Sequence, residues 1–197
     1  ITSKGSVRTE PIKGTRPRGK TTAEDNRLAR DLEASDKDRA ENVMIVDLLR
    51  NDISRTCKDH SVRVEALCEL QSFSNVHHLV SVVTGQLLPD AKSLDCLAAC
   101  FPGGSITGAP KVRAMEIIHD EERHPRGAYC GAIGFVGLDG AMDTSIAIRT
   151  LTIEGSKIAY NVGGGIVADS DPCEEYDETI AKASAIHTAL TLSDPAQ

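Results

Sequence analysis

The run Phe101-Pro102-Gly103-Gly104-Ser105-Ile106-Thr107-Gly108-Ala109-Pro110-Lys111-Val112-Arg113 limits the possible folds more than any other part of the chain. Two prolines and three glycines rule out a continuous helix or a central strand across it, so it must separate two elements. Ahead of it, Leu94, Leu97, Ala98 and Phe101 form the apolar side of a short helix expected to open near Asp90. Behind it, Pro110 suits the first position of a helix expected to reach about Arg123. Free N–H groups at such a start offer an anion site, and Ser105 and Thr107 add hydroxyls. An ordinary capped helix start has the same pattern.

The remaining elements follow from periodicity. Ile1 to Glu10 reads as a hairpin turning at Ser3-Lys4-Gly5-Ser6. Pro11 and Gly14 then bend the chain and project Lys13 from a strand end. Ala23 to Ala34 is a charged helix. Asp36 is expected to cap the next, Lys37 to about Thr56, whose apolar rows are Ala40, Met44, Leu48 and Ile45, Leu49, Ile53. Val62 to Phe73 and Val76 to Leu88 read as strands. Three more strands are expected as a meander: Ala128 to Leu138, Ala141 to Ile153 and Lys157 to Val162, the first two joined at Asp139-Gly140. Pro172 to about Leu190 closes the series as a helix. This order predicts an α+β class with a largely antiparallel sheet.

Composition excludes several functions. The net charge of -7 and the 3 % aromatic content, with no Trp, argue against nucleic-acid binding. No apolar run is long enough to span a membrane. The six cysteines contain no CxxC pair and several lie in apolar runs, which predicts buried thiols and a reducing, cytoplasmic location. The basic cluster Lys13, Arg16, Arg18 and Lys20 is either an anion site or a solvated loop. GxGxxG, GxSxG and P-loop patterns are absent.

Certain polar residues stand where apolar ones are expected. His78 shares a strand face with Val76, Val80 and Val82, and Arg149 shares one with Ala147, Leu151 and Ile153. A buried Arg must find an anion, either a protein carboxylate or a ligand. Asp38 and Glu41 share a helix face, as do Glu175, Glu178 and Lys182. Helix-dipole placement and a surface ion pair account for these acids, but carboxylates from two helices also suit Mg²⁺. A lysine such as Lys13 becomes a nucleophile only when desolvation lowers its pKa. At Gly163-Gly164-Gly165 a ligand can approach the backbone closely.

PIKGT, DRAENVMIVDLLRND, NVHHLVS, FPGGSITGAPKVRAMEII, YCGAIGF, SIAIRT, VGGGIVADS and EEYDET occur in that order along nearly the whole chain. In this it resembles the C-terminal, chorismate-binding portion of the anthranilate, aminodeoxychorismate and isochorismate synthase family. The resemblance implies one partial chorismate-binding domain over residues 1–197, with the N-terminal half of the fold lying upstream. By the same resemblance Glu41 and Glu178 are Mg²⁺ ligands, with Asp38 and Glu175 acting through water. Arg149 and Lys182 hold chorismate carboxylate, and Ser105, Tyr129, Gly164 and Gly165 are further substrate contacts. His78 lies beside the substrate ring.

Lys13 in PIKGT matches the aminodeoxychorismate branch, whose lysine adds to the ring before ammonia displaces it. Anthranilate synthases typically carry PIAGT. The implied product is 4-amino-4-deoxychorismate for 4-aminobenzoate and folate synthesis, with ammonia from a glutamine amidotransferase subunit or fused domain. The family's general acid, a Glu in an SPE motif, is expected upstream of Ile1, so this piece alone is expected to turn over little or nothing. The alternatives are an anthranilate or isochorismate synthase, or a non-catalytic chorismate-binding fragment.

Overall fold

A computed structural model describes residues 1–168 and 170–191, which fall into two compact units. The first comprises Ile1–Ser105 and Phe135–Asp143; the second comprises Ile106–Gly134 and the chain from Thr144 onward.

The first unit is organised on a central strand. β1 (Ser6–Thr9), β2 (Ile12–Pro17), β3 (Arg63–Ser72) and β4 (Val76–Gln86) form one antiparallel sheet in which every partner pairs with β4. β3 runs along one edge of β4. The other edge is shared: Ser6–Thr9 face Gln86–Val83, and Ile12–Pro17 face Val80–Val76. Ser81 N donates to Pro11 O (3.0 Å) and bridges the gap between them. The hairpin expected over residues 1–10 is therefore only a turn, closed by Gly5 N to Thr2 O at 2.9 Å, and β1 takes its partner from far along the chain.

Two helices, α1 (Thr22–Glu33) and α2 (Asp36–Ser54), lie between β2 and β3 in sequence. Thr21 caps α1 through Glu24 N (3.3 Å), and Ser35 rather than Asp36 caps α2 through Asp38 N (3.3 Å). Both follow the preference for a short hydroxyl at the N-cap. Val46 and Ile53 of α2 pack with Val7, Val83, Leu87, Cys57 and Cys96 in a buried cluster. Each aliphatic buried this way contributes about 1.5–3 kcal/mol. β4 is buried on both faces: Leu79, Ser81 and Val83 are as enclosed as Val80 and Val82. The one-faced reading of this strand was too simple, because its neighbours cover both sides.

α3 (Ser93–Cys100) begins three residues later than expected and is followed by a four-residue helix, α4 (Gly104–Thr107). Ser105 thus sits on a helical turn, not on an open loop. Gly104 is buried, and a Cβ there would run into Leu48.

In the second unit, α5 (Lys111–Glu121) has Pro110 at its N-cap with ψ 134°, so the proline precedes the first helical residue. β5 (Ala132–Val136) and β6 (Met142–Ile146) form the expected hairpin, with Gly140 at φ +83° in its turn. The turn end of this hairpin belongs to the first unit, where Met142 N donates to Ile1 O at 2.9 Å. β7 (Leu151–Glu154) and β8 (Lys157–Tyr160) pair separately around Gly155. The meander is thus two hairpins. Its long middle strand breaks after Ile146, where Ile148 N turns back to Ile146 O (2.9 Å). α6 (Pro172–Thr191) matches the expected last helix.

Candidate functional site

The first unit gathers Lys13, Asp38, Glu41 and His78 around one irregularity. In β2 the register passes from Lys13 opposite Leu79 to Thr15 opposite His78, leaving Gly14 as an extra residue in a bulge. Gly14 has φ +80°, and a Cβ there would sit 2.8 Å from Leu32 Cδ1 and 2.9 Å from Asp38 Cβ. Only glycine suits both that conformation and that contact. Lys13 therefore lies inside a strand, not at its end. Its Nζ is 3.9 Å from Glu41 Oε2, with about a quarter of each side chain exposed.

Arg16 Nη2 donates to Asp38 Oδ2 at 3.1 Å, so the two acids near the start of α2 face the two cations of β2. Of the basic cluster, Lys13 and Arg16 are thus paired within a strand, while Arg18 and Lys20 lie in the exposed segment that follows it. Arg18 donates to both oxygens of Asp25 (2.8 and 2.7 Å), and Gly19 N donates to Oδ1 at 2.8 Å. These bonds, the Arg18 one first, hold the Asp25 carboxyl well below the usual range.

His78 Nδ1 is 2.9 Å from Thr15 Oγ1 and 3.3 Å from Gly14 O, and its ring meets Phe73 edge-on at 5.6 Å. A proton on Nδ1 satisfies the Gly14 carbonyl and leaves Nε2 as an acceptor. The fully enclosed histidine is its neighbour His77, 2 % exposed, with Ser72 Oγ at 2.8 Å from Nδ1 and Asp25 Oδ1 at 3.0 Å from Nε2. Both of its nitrogens are occupied within the fold, which makes it a structural residue that alternation along β4 did not distinguish.

The second unit carries Tyr129, Arg149, Gly164, Gly165, Glu175, Glu178 and Lys182. Lys182 Nζ contacts Glu178 Oε1 at 2.6 Å and donates to Gly163 O at 3.2 Å, which ties α6 to the glycine run. A Cβ at Gly164 would lie 2.9 Å from Glu175 Oε2, and one at Gly163 would lie 3.0 Å from Tyr129 Oη. The triple glycine thus allows Tyr129 and α6 to close on the backbone, while Gly165 has open space around it. Glu175 also accepts from Ser170 Oγ at 2.5 Å.

Burial, then the adjacent Cys130, raises the Tyr129 hydroxyl above its ordinary range, and the Arg126 guanidinium stands 5.9 Å from its ring centre. Arg126 went unnoticed in the sequence. It grips Glu122 (2.6, 2.9 and 3.1 Å) and donates to Ile106 O at 2.8 Å. Arg149 departs from expectation. It lies in the irregular segment after β6, exposed, with φ +51°, so the alternation that put it on an apolar face does not extend to it.

Among the described residues no three His, Cys, Asp or Glu side chains stand at metal-binding separations. The candidate donors form two pairs: Asp38 with Glu41 on α2, and Glu175 with Glu178 on α6. Both pairs supply oxygen only, the chemistry a hard divalent cation requires. A cleft of about 540 Å³ in the first unit, lined among others by Lys58, Leu87 and Leu94, contains none of the candidate residues.

The family model for chorismate binding enzymes matches residues 2–188. The chain belongs to the chorismate-binding enzyme family. It is 54 % identical over 180 residues to aminodeoxychorismate synthase component 1 of Escherichia coli K12, covering 91 % of this chain and 40 % of that protein. It is 49 % identical over 191 residues to anthranilate synthase component 1 of Streptomyces coelicolor, covering 97 % and 37 %. The solved anthranilate synthase component I of Streptococcus pneumoniae superposes with a TM-score of 0.79 at 44 % identity, covering 92 % of this chain and 40 % of that one. The chain therefore spans about two fifths of the length of these relatives. Among the described residues no helix is long and apolar enough to cross a membrane.

Proposed function

We propose that the chain is the chorismate-aminating part of an aminodeoxychorismate synthase, making 4-amino-4-deoxychorismate from chorismate and ammonia. The observation that carries this reading is Lys13: a largely enclosed amine on a glycine-dependent bulge, 3.9 Å from the Glu41 carboxylate. A lysine so held is positioned, where a solvated one is not. Once its proton is surrendered, Nζ forms a C–N bond to the chorismate ring while the C–O bond of the 4-hydroxyl breaks. Its electron pair leaves with the oxygen, which departs as water after protonation. Ammonia, supplied by a glutamine amidotransferase partner, then bonds to the ring and expels Nζ.

Arg149 and Lys182 hold the substrate carboxylates, Ser105, Tyr129, Gly164 and Gly165 line the substrate, and His78 stands beside the ring. Glu41 and Glu178 would hold Mg²⁺, with Asp38 and Glu175 acting through water, and the ion would supply positive charge against the substrate carboxylates.

The test uses the full-length polypeptide with chorismate, Mg²⁺ and an ammonium salt, and identifies the product by mass and absorbance. The expected product is 4-amino-4-deoxychorismate, with a chorismate-derived adduct on Lys13 that Lys13→Ala abolishes together with most amination. Anthranilate or isochorismate as product would overturn the assignment within the family. An unaltered rate in Lys13→Ala would return Lys13 to a structural partner of Glu41.

A further inference from the structure

Cys96 and Cys100 lie one turn apart on the same side of α3, at the end that leads into Phe101–Ser105. Cys96 is 3 % exposed, and Cys100, packed against the same core cluster, is half-buried. Cys57 belongs to that cluster too, its Sγ 2.8 Å from where a Cβ on Gly85 would be. Three thiols thus share one corner of the first unit.

They are electrostatically unequal. The Cys100 thiol donates a hydrogen bond to the Cys96 sulfur, which lowers the Cys96 thiol against the effect of its burial; the Thr56 hydroxyl adds to this. Burial pushes Cys57 up to about 11, with the negative charge on Cys96 adding to the shift. Cys96 is therefore the sulfur of the pair with the greater thiolate character, and Cys100 beside it is the one nearer solvent.

We propose that Cys96 and Cys100 form a dithiol that hydrogen peroxide oxidises reversibly to a disulfide, so that α3 carries an oxidation site at its C-terminal turn. Peroxide reacts first at the Cys96 sulfur, the one with thiolate character. An S–O bond forms as the O–O bond breaks, giving a sulfenic acid and releasing hydroxide, which takes the Cys100 thiol proton. The Cys100 sulfur then attacks the sulfenic sulfur: the S–S bond forms, the S–O bond breaks and a second hydroxide leaves. With the two thiol protons, two thiols and one peroxide give one disulfide and two waters.

The bond has a structural consequence. Residues four apart on a helix keep their Cβ atoms about 5–6 Å apart, whereas a disulfide holds them at about 3.5–4.5 Å. The last turn of α3, closed by Phe101 N to Leu97 O at 2.9 Å, must tighten to accommodate it. Gly104, pressed against Leu48, and Ser105 follow directly in the chain.

The experiment treats the chain with hydrogen peroxide, alkylates the remaining thiols and digests with trypsin. The peptide from Ser93 to Lys111 contains only these two cysteines. The expected result is that it loses the mass of two hydrogens, resists alkylation and recovers on reduction, while amide exchange over residues 97–105 accelerates. Cys100→Ser abolishes the intrapeptide disulfide. Two results overturn the proposal: both cysteines still alkylated under peroxide that oxidises the exposed Cys173, or a Cys57–Cys96 cross-link formed in their place.

Discussion

Replacing Asn42 tests the junction between α2 and the sheet. Asn42 is fully buried, its Nδ2 donating to Leu79 O at 3.1 Å and its Oδ1 accepting from the Ser81 hydroxyl. Ser81 Oγ in turn accepts from Cys68 N at 2.8 Å, where β3 is bulged and Cys68 has φ +53°. Asn42→Ala leaves the Leu79 carbonyl and the Ser81 O–H without these partners. Each orphaned buried group costs about 1–3 kcal/mol, so the variant should lose about 3 kcal/mol or more.

Because the chain divides into two units, the loss is best read locally, by amide exchange along β4. At about 1.4 kcal/mol per tenfold, β4 amides should exchange on the order of a hundredfold faster. Asn42→Asp supplies a control with a definite sign. It keeps the acceptor for Ser81 but places a buried carboxyl whose folded pKa is raised, so its cost grows as pH rises through the unfolded value of about 3.9. The alanine variant should show no such trend. Exchange within about twofold of the parent in Asn42→Ala, or a flat pH response in Asn42→Asp, would refute the buried-network reasoning.

Other substitutions probe the remaining supports. Gly14→Ala forces a side chain into a positive-φ bulge against Leu32 and Asp38, and should cost about 1–3 kcal/mol as well as displacing Lys13; urea unfolding measures the first and the yield of Lys13 adduct the second. The Asp25 carboxyl, held low by Arg18, stabilises the fold above its unfolded pKa of about 3.9, and that contribution disappears as pH falls towards its folded value. Acid titration of Asp25→Asn should accordingly be shallower than that of the parent. Glu41→Gln and Glu178→Gln should each raise the Mg²⁺ concentration that supports half-maximal activity of the full-length polypeptide by about tenfold or more; if neither moves that titration, the metal ligands lie elsewhere.

Much of this was readable in the sequence because periodicity reports neighbours along the chain. The range of α2 follows from its apolar rows, that of α6 from Pro172 and the spacing of Glu175, Glu178 and Lys182, and the Asp139-Gly140 turn from its residue types. What escaped depends on partners distant in sequence. Nothing in residues 1–10 reveals that β1 pairs with the far end of β4, and alternation cannot tell His77 from His78 when both strand faces are covered. Arg149 was misread because its strand ends at Ile146, a break set by the backbone rather than by any proline or glycine nearby. His78 stood out by alternation and Lys13 by the bend at Pro11 and Gly14, and family motifs gave them and Glu41 their roles, but the bulge at Gly14 that gathers them was visible only in the register of β2 against β4.

Since β1 and β2 both depend on β4, the lysine's setting is also a matter of timing. Lys13 pairs opposite Leu79, so on a ribosome adding about 5–20 residues per second its strand waits several seconds for a partner. Until then β1 and β2 are bare edges, open to any other strand. Slowed synthesis between α2 and β4 should therefore lower the yield of correctly folded chains without altering a single contact in those that succeed.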